Sequence, residues 1–321
     1  AGVLWMLGGG IMLWRKPEEN GVWEGEKTVE PGIGQVVLTL GDGESMPLKR
    51  DTNRLIFGGT MLQVRNERGT LVYSRIKSKE ASEKIVYNTL TVPVRERFQL
   101  VLADGTKVFL NSGSEMRYPE RFGKARREVF LKGEAWFEVA KDSAREFWVH
   151  AGAMDVKVLG TSFNVKAYER LETVATTLVE GSVEVACAGK SFQIVPGEQF
   201  VYDKNNRVMD VRMVDTESYV SWKDGYYKFR QTTLEEIMET LSVWYGLNVF
   251  YVNESAKQVE FTGKVKRYED ARMLLDKFEQ TGDVVLDIKG NNVFITIKQK
   301  KPFAREWNSF LVKARGMVWQ S

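Results

Sequence analysis

The spacing of apolar residues changes once along this chain, and that change constrains the fold most. From about residue 33 to 215 apolar side chains recur with a period of two, as on a strand with unlike faces. No stretch there keeps a 3.6 period over three turns. From about residue 219 a 3.6 period alternates with short period-two runs. A mainly β domain followed by a small α/β domain is the expected architecture.

The clearest strand is Gly133-Glu-Ala-Trp-Phe-Glu-Val-Ala140, in which Ala135, Phe137 and Val139 alternate with Trp136, Glu138 and Ala140. Val158-Leu-Gly-Thr-Ser-Phe-Asn-Val165 reads as a second strand carrying Gly160 inside it. A glycine so placed marks a bulge or a close backbone approach. Asp42-Gly43 and Asp104-Gly105 each interrupt alternating leucines, a strong hairpin signal. The two hairpins align at a separation of 62 residues, Leu38, Leu40 and Leu48 falling on Leu100, Leu102 and Leu110. That alignment fits an internal repeat or two hairpins of one kind. Further strand–turn units follow at Glu180-Gly181, Pro196-Gly197 and Asn205-Asn206. Many short strands at near-regular spacing predict a sandwich, jelly roll or barrel.

In the last third, Thr233-Leu-Glu-Glu236 is a capping box. Leu234, Ile237, Met238, Leu241 and Tyr245 keep one helical face up to Gly246. Ala271, Leu274, Leu275 and Phe278 line a second helix that stops at Gly282. With the strands at Tyr226–Phe229, Leu247–Tyr251, Val259–Gly263, Val284–Ile288 and Val293–Ile297, the order is β-α-β, β-α-β-β.

Ala1 to Trp14 is uncharged and precedes Arg15-Lys16-Pro17. It is too short to span a bilayer alone. It fits the tail of a transmembrane helix, the apolar part of a signal peptide, or a glycine-rich soluble segment. Residues 15–32 read as a linker. The tail, residues 300–321, carries Phe303, Trp307, Phe310 and Trp319 among basic residues. It fits a short helix packed back on the small domain or a loosely held end.

Catalytic raw material is scarce: the chain has one histidine, His150, and one cysteine, Cys187. Both sit in apolar strands, as a strand imidazole and a buried thiol. They cannot supply an ordinary zinc site, and neither a metal nor a cofactor is expected. The net charge of +3 gives no sign of a nucleic-acid partner.

Several blocks resemble one family in the right order. They are Phe98–Asn111 (FQLVLADGTKVFLN), Leu131–Ala140 (LKGEAWFEVA), Val158–Val165, Leu178–Val183 (LVEGSV) and Pro196-Gly197. Trp222–Phe229 (WKDGYYKF) and Trp244-Tyr245 complete the set. Over about residues 30–299 the chain resembles the FecR-family regulators of sigma factors common in Bacteroidetes. One departure is Arg95-Glu96-Arg97, where the family pattern has a glycine pair.

The resemblance implies a transmembrane regulator of an extracytoplasmic-function sigma factor, held in the inner membrane by one helix. Residues 1–14 would be the remnant of that helix. Residues 33–215 would be a periplasmic all-β domain of sandwich or jelly-roll type. Residues 219–299 would be a small domain similar to the short domain of secretins and TonB-dependent transducers. The sigma-factor-binding cytoplasmic part is absent from these residues. The implied input is the periplasmic signalling domain of an outer-membrane TonB-dependent transporter. That partner would add a strand to an exposed edge, with Tyr226, Tyr227 and Phe229 or Val259 and Phe261 as contacts.

Some members of the family cleave themselves at a Gly-Thr bond in this motif, so the resemblance leaves two roles for Gly160-Thr161: single-turnover self-cleavage, the Thr161 hydroxyl attacking the Gly160 carbonyl, or a strand bulge alone. Otherwise the protein is not expected to be an enzyme. The rival class is a carbohydrate-binding or carbohydrate-active jelly roll, with Trp136, Trp148 and Tyr168 stacking on sugars. Glu134 and Glu138 would be its acids, but four residues along a strand separate them by about 13 Å, beyond glycosidase spacing. On this reading the acids simply line an exposed face.

Overall fold

In a computed structural model, the structure describes residues 34–49, 54–58, 62–67, 70–75, 85–267 and 270–298. The readings made for residues 1–14, 15–32 and 300–321 lie outside them. Among the described residues no helix is long and apolar enough to cross a membrane.

Among the described residues the first part holds eighteen strands in chain order. They are β1 (Val36–Thr39), β2 (Ser45–Leu48), β3 (Arg54–Gly58), β4 (Leu62–Glu67), β5 (Thr70–Arg75) and β6 (Tyr87–Thr91). Next come β7 (Phe98–Val101), β8 (Lys107–Leu110), β9 (Glu115–Pro119), β10 (Arg127–Glu138), β11 (Phe147–Ala151) and β12 (Met154–Val158). Then follow β13 (Ser162–Ala167), β14 (Thr173–Glu180), β15 (Val183–Cys187), β16 (Lys190–Ile194), β17 (Glu198–Asp203) and β18 (Val208–Met213).

They form two sheets. One runs β2-β1-β6-β9-β10-β11-β12-β15-β16 and the other β3-β4-β5-β7-β8-β10-β13-β14-β17-β18. Among the described residues of these two sheets only β5–β7 and β10–β11 pair in parallel. Side chains from both sheets, Leu38, Leu90, Val129 and Val156 with Leu100, Val108, Phe163 and Phe200, share one buried core. This is a β-sandwich, and the alternation of buried and half-buried residues along β11, β12 and β15 is the period of two read in the sequence.

Strand β10 belongs to both sheets. Its first half pairs with β9 and β11, its second half with β8 and β13. The crossover falls at Gly133, which has φ of 104°. Only glycine adopts that backbone freely.

The Asp-Gly hairpins are two of one kind, one in each sheet. Gly43 N–H donates to Leu40 O and Gly105 N–H to Leu102 O, both at 2.9 Å. The aspartate before each glycine accepts the N–H two residues on, at 3.0 Å in both.

The C-terminal part is α1 (Glu217–Val220), β19 (Tyr226–Thr233), α2 (Leu234–Tyr245), β20 (Asn248–Tyr251), β21 (Glu260–Lys266), α3 (Ala271–Glu279), β22 (Val284–Lys289) and β23 (Asn292–Ile297). The β-α-β, β-α-β-β order holds. The small unit is not one open sheet, however: β19 pairs with β21, and β20, β23 and β22 form a separate three-stranded sheet. Helix α2 starts at the expected cap, Thr233 accepting from Glu236 N–H, and ends at left-handed Gly246. Helix α3 ends at Glu279, short of Gly282, and starts on Asp270 as its cap.

Trp136, on the outer face of the second sheet, is buried in the small unit's core with Trp222, Trp244 and Tyr245. The small unit is therefore docked on that face, against the side of β10 opposite Ala135 and Phe137.

Candidate functional site

Three places are candidates for a functional site: the junction between sandwich and small unit, the Gly160–Thr161 bond, and the β19–β21 pair.

The junction is built around Glu134, the residue after the β10 crossover. It is 7% exposed, which corrects the expectation that it lines an exposed face. Burial follows from its register. Glu134 shares a strand face with Trp136 and is covered by the docked unit. Asn111 Nδ2 donates to Oε2 at 2.7 Å and Asn164 Nδ2 to Oε1 at 2.9 Å. Asn164 in turn accepts from Trp222 Nε1 at 3.3 Å. One chain of hydrogen bonds thus runs from β10 to the small unit. Burial pushes the Glu134 carboxyl above the ordinary carboxylate range, against the opposing pull of Lys166 and the two amides.

A second tie runs through Ser112. Its Oγ lies 3.1 Å from Val243 O and 3.3 Å from Trp244 O, at the end of α2. Those carbonyls have no partner within a helix that stops there, and a hydroxyl supplies one. The same Oγ accepts from Arg95 N–H at 2.8 Å. Arg97 Nη1 donates to Lys223 O. The departure at Arg95–Arg97 thus forms part of the junction. Arg95 keeps the glycine conformation, with φ of 69°.

Beside the network lies a cavity of about 200 Å³, lined by Glu134, Lys166, Gln199, Tyr227 and Glu239 among others. Among the described residues the buried Tyr227 hydroxyl has no hydrogen-bond partner. Burial holds its phenol well above the ordinary range. The polar groups among its lining residues give ordered water partners there.

The Gly160–Thr161 bond is not inside a strand. It lies in the crossing from β12, in the first sheet, to β13, in the second. The close approach foreseen for Gly160 is present, since a Cβ there would stand 2.8 Å from Lys141 Cα. A register shift follows between Ser162 and Phe163. Thr161 is 5% exposed; its Oγ1 donates to Ser182 O at 3.0 Å, and its carbonyl accepts from Val139 N–H at 3.0 Å.

On the β19–β21 pair, Tyr227, Phe229 and Phe261 are 4%, 7% and 8% exposed and face the core. Tyr226 and Val259 are half-buried. Tyr226 donates to Glu217 at 2.9 Å and lies under Lys264 Nζ, 3.7 Å from the ring centre. Segment 217–224 packs along β19, with Ser221 Oγ accepting from Lys228 N–H. Among the described residues β21 pairs with β19 alone, and Glu260, Thr262, Lys264 and Lys266 are exposed along it.

Of the rings named for sugar stacking, Trp136 and Tyr168 are buried and Trp148 is half-buried. Trp148 has His150 stacked on it at 6.2 Å, and Lys157 Nζ lies 5.6 Å from its ring centre. Glu138 holds Trp136 Nε1 and pairs with Lys107. His150 bonds Asp155 at 2.7 Å and Glu128 at 3.3 Å. Among the described residues no group of three or more His, Cys, Asp or Glu could hold a metal ion.

Sequence reasoning passed over Asn111, Ser112, Asn164 and Trp222 as junction residues. For Asn164 the available signal was a polar side chain between apolar neighbours in a strand; Asn111 and Ser112 lie in the β8–β9 turn and Trp222 in a short helical turn, where that signal is absent.

The family model for FecR protein matches residues 88–184, and the model for the FecR C-terminal region matches residues 226–295. Two crystal structures of a proposed anti-sigma factor from Parabacteroides distasonis ATCC 8503 are similar. One is 28% identical with a TM-score of 0.60, covering 65% of this chain and 98% of that one. The other is 27% identical with a TM-score of 0.59, covering 66% and 99%. No curated protein sequence matches the chain.

Proposed function

We propose, from the premise that the chain belongs to the FecR family and is a sigma-factor regulator, that its described part receives a signal in the periplasm. On this reading the sandwich (residues 33–215) and the small domain (residues 219–299) stand outside an inner membrane crossed by one helix. The sender is the signalling domain of an outer-membrane TonB-dependent transporter. The observation that carries the reading is the pair of FecR matches in order, with the small unit docked on the sandwich through Glu134, Ser112 and Trp222. A partner bound to the small unit can thereby bias the sandwich.

Docking is assigned to the exposed side of β21, where backbone groups and Glu260, Lys264 and Lys266 meet solvent. The test is a pull-down of the full chain against periplasmic signalling domains of transporters. Selective binding to one, weakened about tenfold by Lys264→Glu with Lys266→Glu, supports the reading. A folded chain that retains none of them sinks it.

The second part of the reading is self-cleavage at Gly160–Thr161. The Thr161 hydroxyl must first leave Ser182 O. It then adds to the Gly160 carbonyl; the C–N bond breaks as C–O forms, and the hydroxyl proton passes to the amine. Water hydrolyses the ester, leaving a Gly160 carboxylate and restoring the Thr161 hydroxyl. Leu159 is 49% exposed and Gly160 half-buried, so water can approach the bond from the Gly160 side although Thr161 is buried. Strand β12 is held by β11 and β15, and β13 by β10 and β14, so the two pieces stay paired. Denaturing gels of wild type and Thr161→Ala decide it: two bands against one supports cleavage, and a single full-length band in both excludes it.

A further inference from the structure

Among the described residues, the buried side-chain polar atoms that lack a hydrogen-bond partner are Ser218 Oγ and Tyr227 Oη. Both residues line the cavity of about 200 Å³ at the junction. A buried hydroxyl left unpaired is costly, and such groups persist where a bound molecule can supply the bond. Tyr227 is 4% exposed, so bulk solvent does not supply it.

The sandwich lines the same cavity with polar groups that are themselves buried. Gln199 and Thr177, 3% and 1% exposed, are bonded to each other at 2.9 Å. Arg212 Nη2 donates to Gln199 Oε1 at 3.3 Å.

The charges around this space are matched within the protein. Arg212 pairs with Glu236 at 3.8 Å, Glu235 with Lys257 at 3.5 Å, and Lys228 with Asp215 at 2.9 Å. Lys166 lies across from Glu134 in the β10–β13 register. Burial raises the carboxyls of Glu134 and Glu239, and Lys166 pulls both the other way. What the lining offers a ligand is therefore hydroxyls and amides, which donate and accept, beside the aromatic residues Trp222 and Tyr227. That set suits an uncharged ring bearing several hydroxyls, with its C–H face against an aromatic side chain.

Size and access agree. The cavity has the volume of about seven waters in the liquid, close to that of one six-membered ring with its hydroxyls. Arg212, Ser218, Lys228 and Glu236 border both the cavity and an open groove of about 770 Å³. The groove is a way in.

We propose that the junction cavity binds one small, uncharged polyhydroxylated ring, a monosaccharide or cyclitol, between Ser218 and Tyr227 of the C-terminal part and Thr177 and Gln199 of the sandwich. Because its bonds reach both parts, the ligand tightens the junction as it binds. The inference stands apart from the transporter reading and from self-cleavage.

Thermal unfolding of the full chain tests it, with D-glucose, D-galactose, D-mannose, L-fucose, D-xylose and myo-inositol as separate probes. At about 10 mM, at least one is expected to raise the midpoint by about 2 °C or more. Sucrose, too large for the cavity, controls for the general stabilisation that excluded sugars give. Tyr227→Phe removes the hydroxyl and keeps the ring. It should weaken binding of that probe about tenfold, while its own midpoint without probe stays within about 2 °C of wild type. Ala175→Leu fills the cavity from a half-buried position on β14 and should abolish the shift. No shift with any probe overturns the proposal and leaves the cavity to water. A shift that sucrose equals, or that survives either substitution, also overturns it. A shift with D-glucuronate alone overturns the uncharged class and assigns the cavity to an acid.

Discussion

A Cβ on Gly133 would stand 2.7 Å from Ser114 Cα and 2.5 Å from Ser114 Oγ. The same Ser114 Oγ donates to Glu134 O at 3.0 Å and accepts from Glu134 N–H at 2.8 Å. The crossover of β10 is thus clamped to the β8–β9 turn on a site that admits no side chain. Gly133→Ala combines a backbone clash with a left-handed φ and is expected to destabilise the sandwich by about 3 kcal/mol or more. Chemical denaturation measures it.

Arg127 has a side-chain exposure of 0% and donates to Asp104 at 2.8 Å, to Ala140 O and twice to Arg145 O. Arg127→Ala strands a buried carboxylate and two carbonyls. The expected loss is about 3–5 kcal/mol. Arg127→Lys should recover only part of it, because an ammonium cannot span those acceptors.

Arg95 sits at a φ of 69°, in the left-handed region that glycine adopts freely. Arg95→Gly should fall within about 1 kcal/mol of wild type, on the stabilising side, because relief of left-handed strain outweighs the entropy glycine adds to the unfolded chain. Arg95→Val should lose about 1–2 kcal/mol, since a β-branched residue resists this conformation. The order Gly, Arg, Val in denaturation midpoints checks the argument.

Burial raises the Glu134 carboxyl above its ordinary value of 4.5. The folded state therefore holds that proton more tightly than the unfolded chain. Its contribution is fully present below pH 4.5 and is lost as pH rises through the higher folded value. The stability of wild type relative to Glu134→Gln should accordingly be greater at pH 4 than at pH 7. Denaturant midpoints of the two proteins across that range read the difference directly. At neutral pH, Glu134→Gln also turns an amide NH2 toward Asn111 or Asn164 and should cost about 1–3 kcal/mol.

Local signals carried much of the fold. The spacing of Leu234, Ile237, Met238, Leu241 and Tyr245 behind Thr233 and Glu236 is a property of one short window, and α2 follows it. The Asp-Gly hairpins are similarly local. Sheet membership is not, because β5–β7 and β10–β11 pair in parallel across intervening chain. The candidate site was the least legible part. Glu134 reads as a surface acid until Asn111 and Asn164, 23 and 30 residues away, are brought to it. Arg127 is wholly buried beside exposed Arg126, a difference that no local spacing marks. Gly160 signalled a close approach correctly, but its neighbour Lys141 comes from a different turn.

The membership of β10 in both sheets has a mechanical consequence. A tug on the small unit reaches β10 through Glu134 and Trp136, in the half that pairs with β8 and β13. The other half is laced between β9 and β11. Tension entering one ladder therefore becomes shear in the other, with Gly133 as the pivot. The two layers must yield together, so load applied at one end of the molecule is felt across its whole breadth.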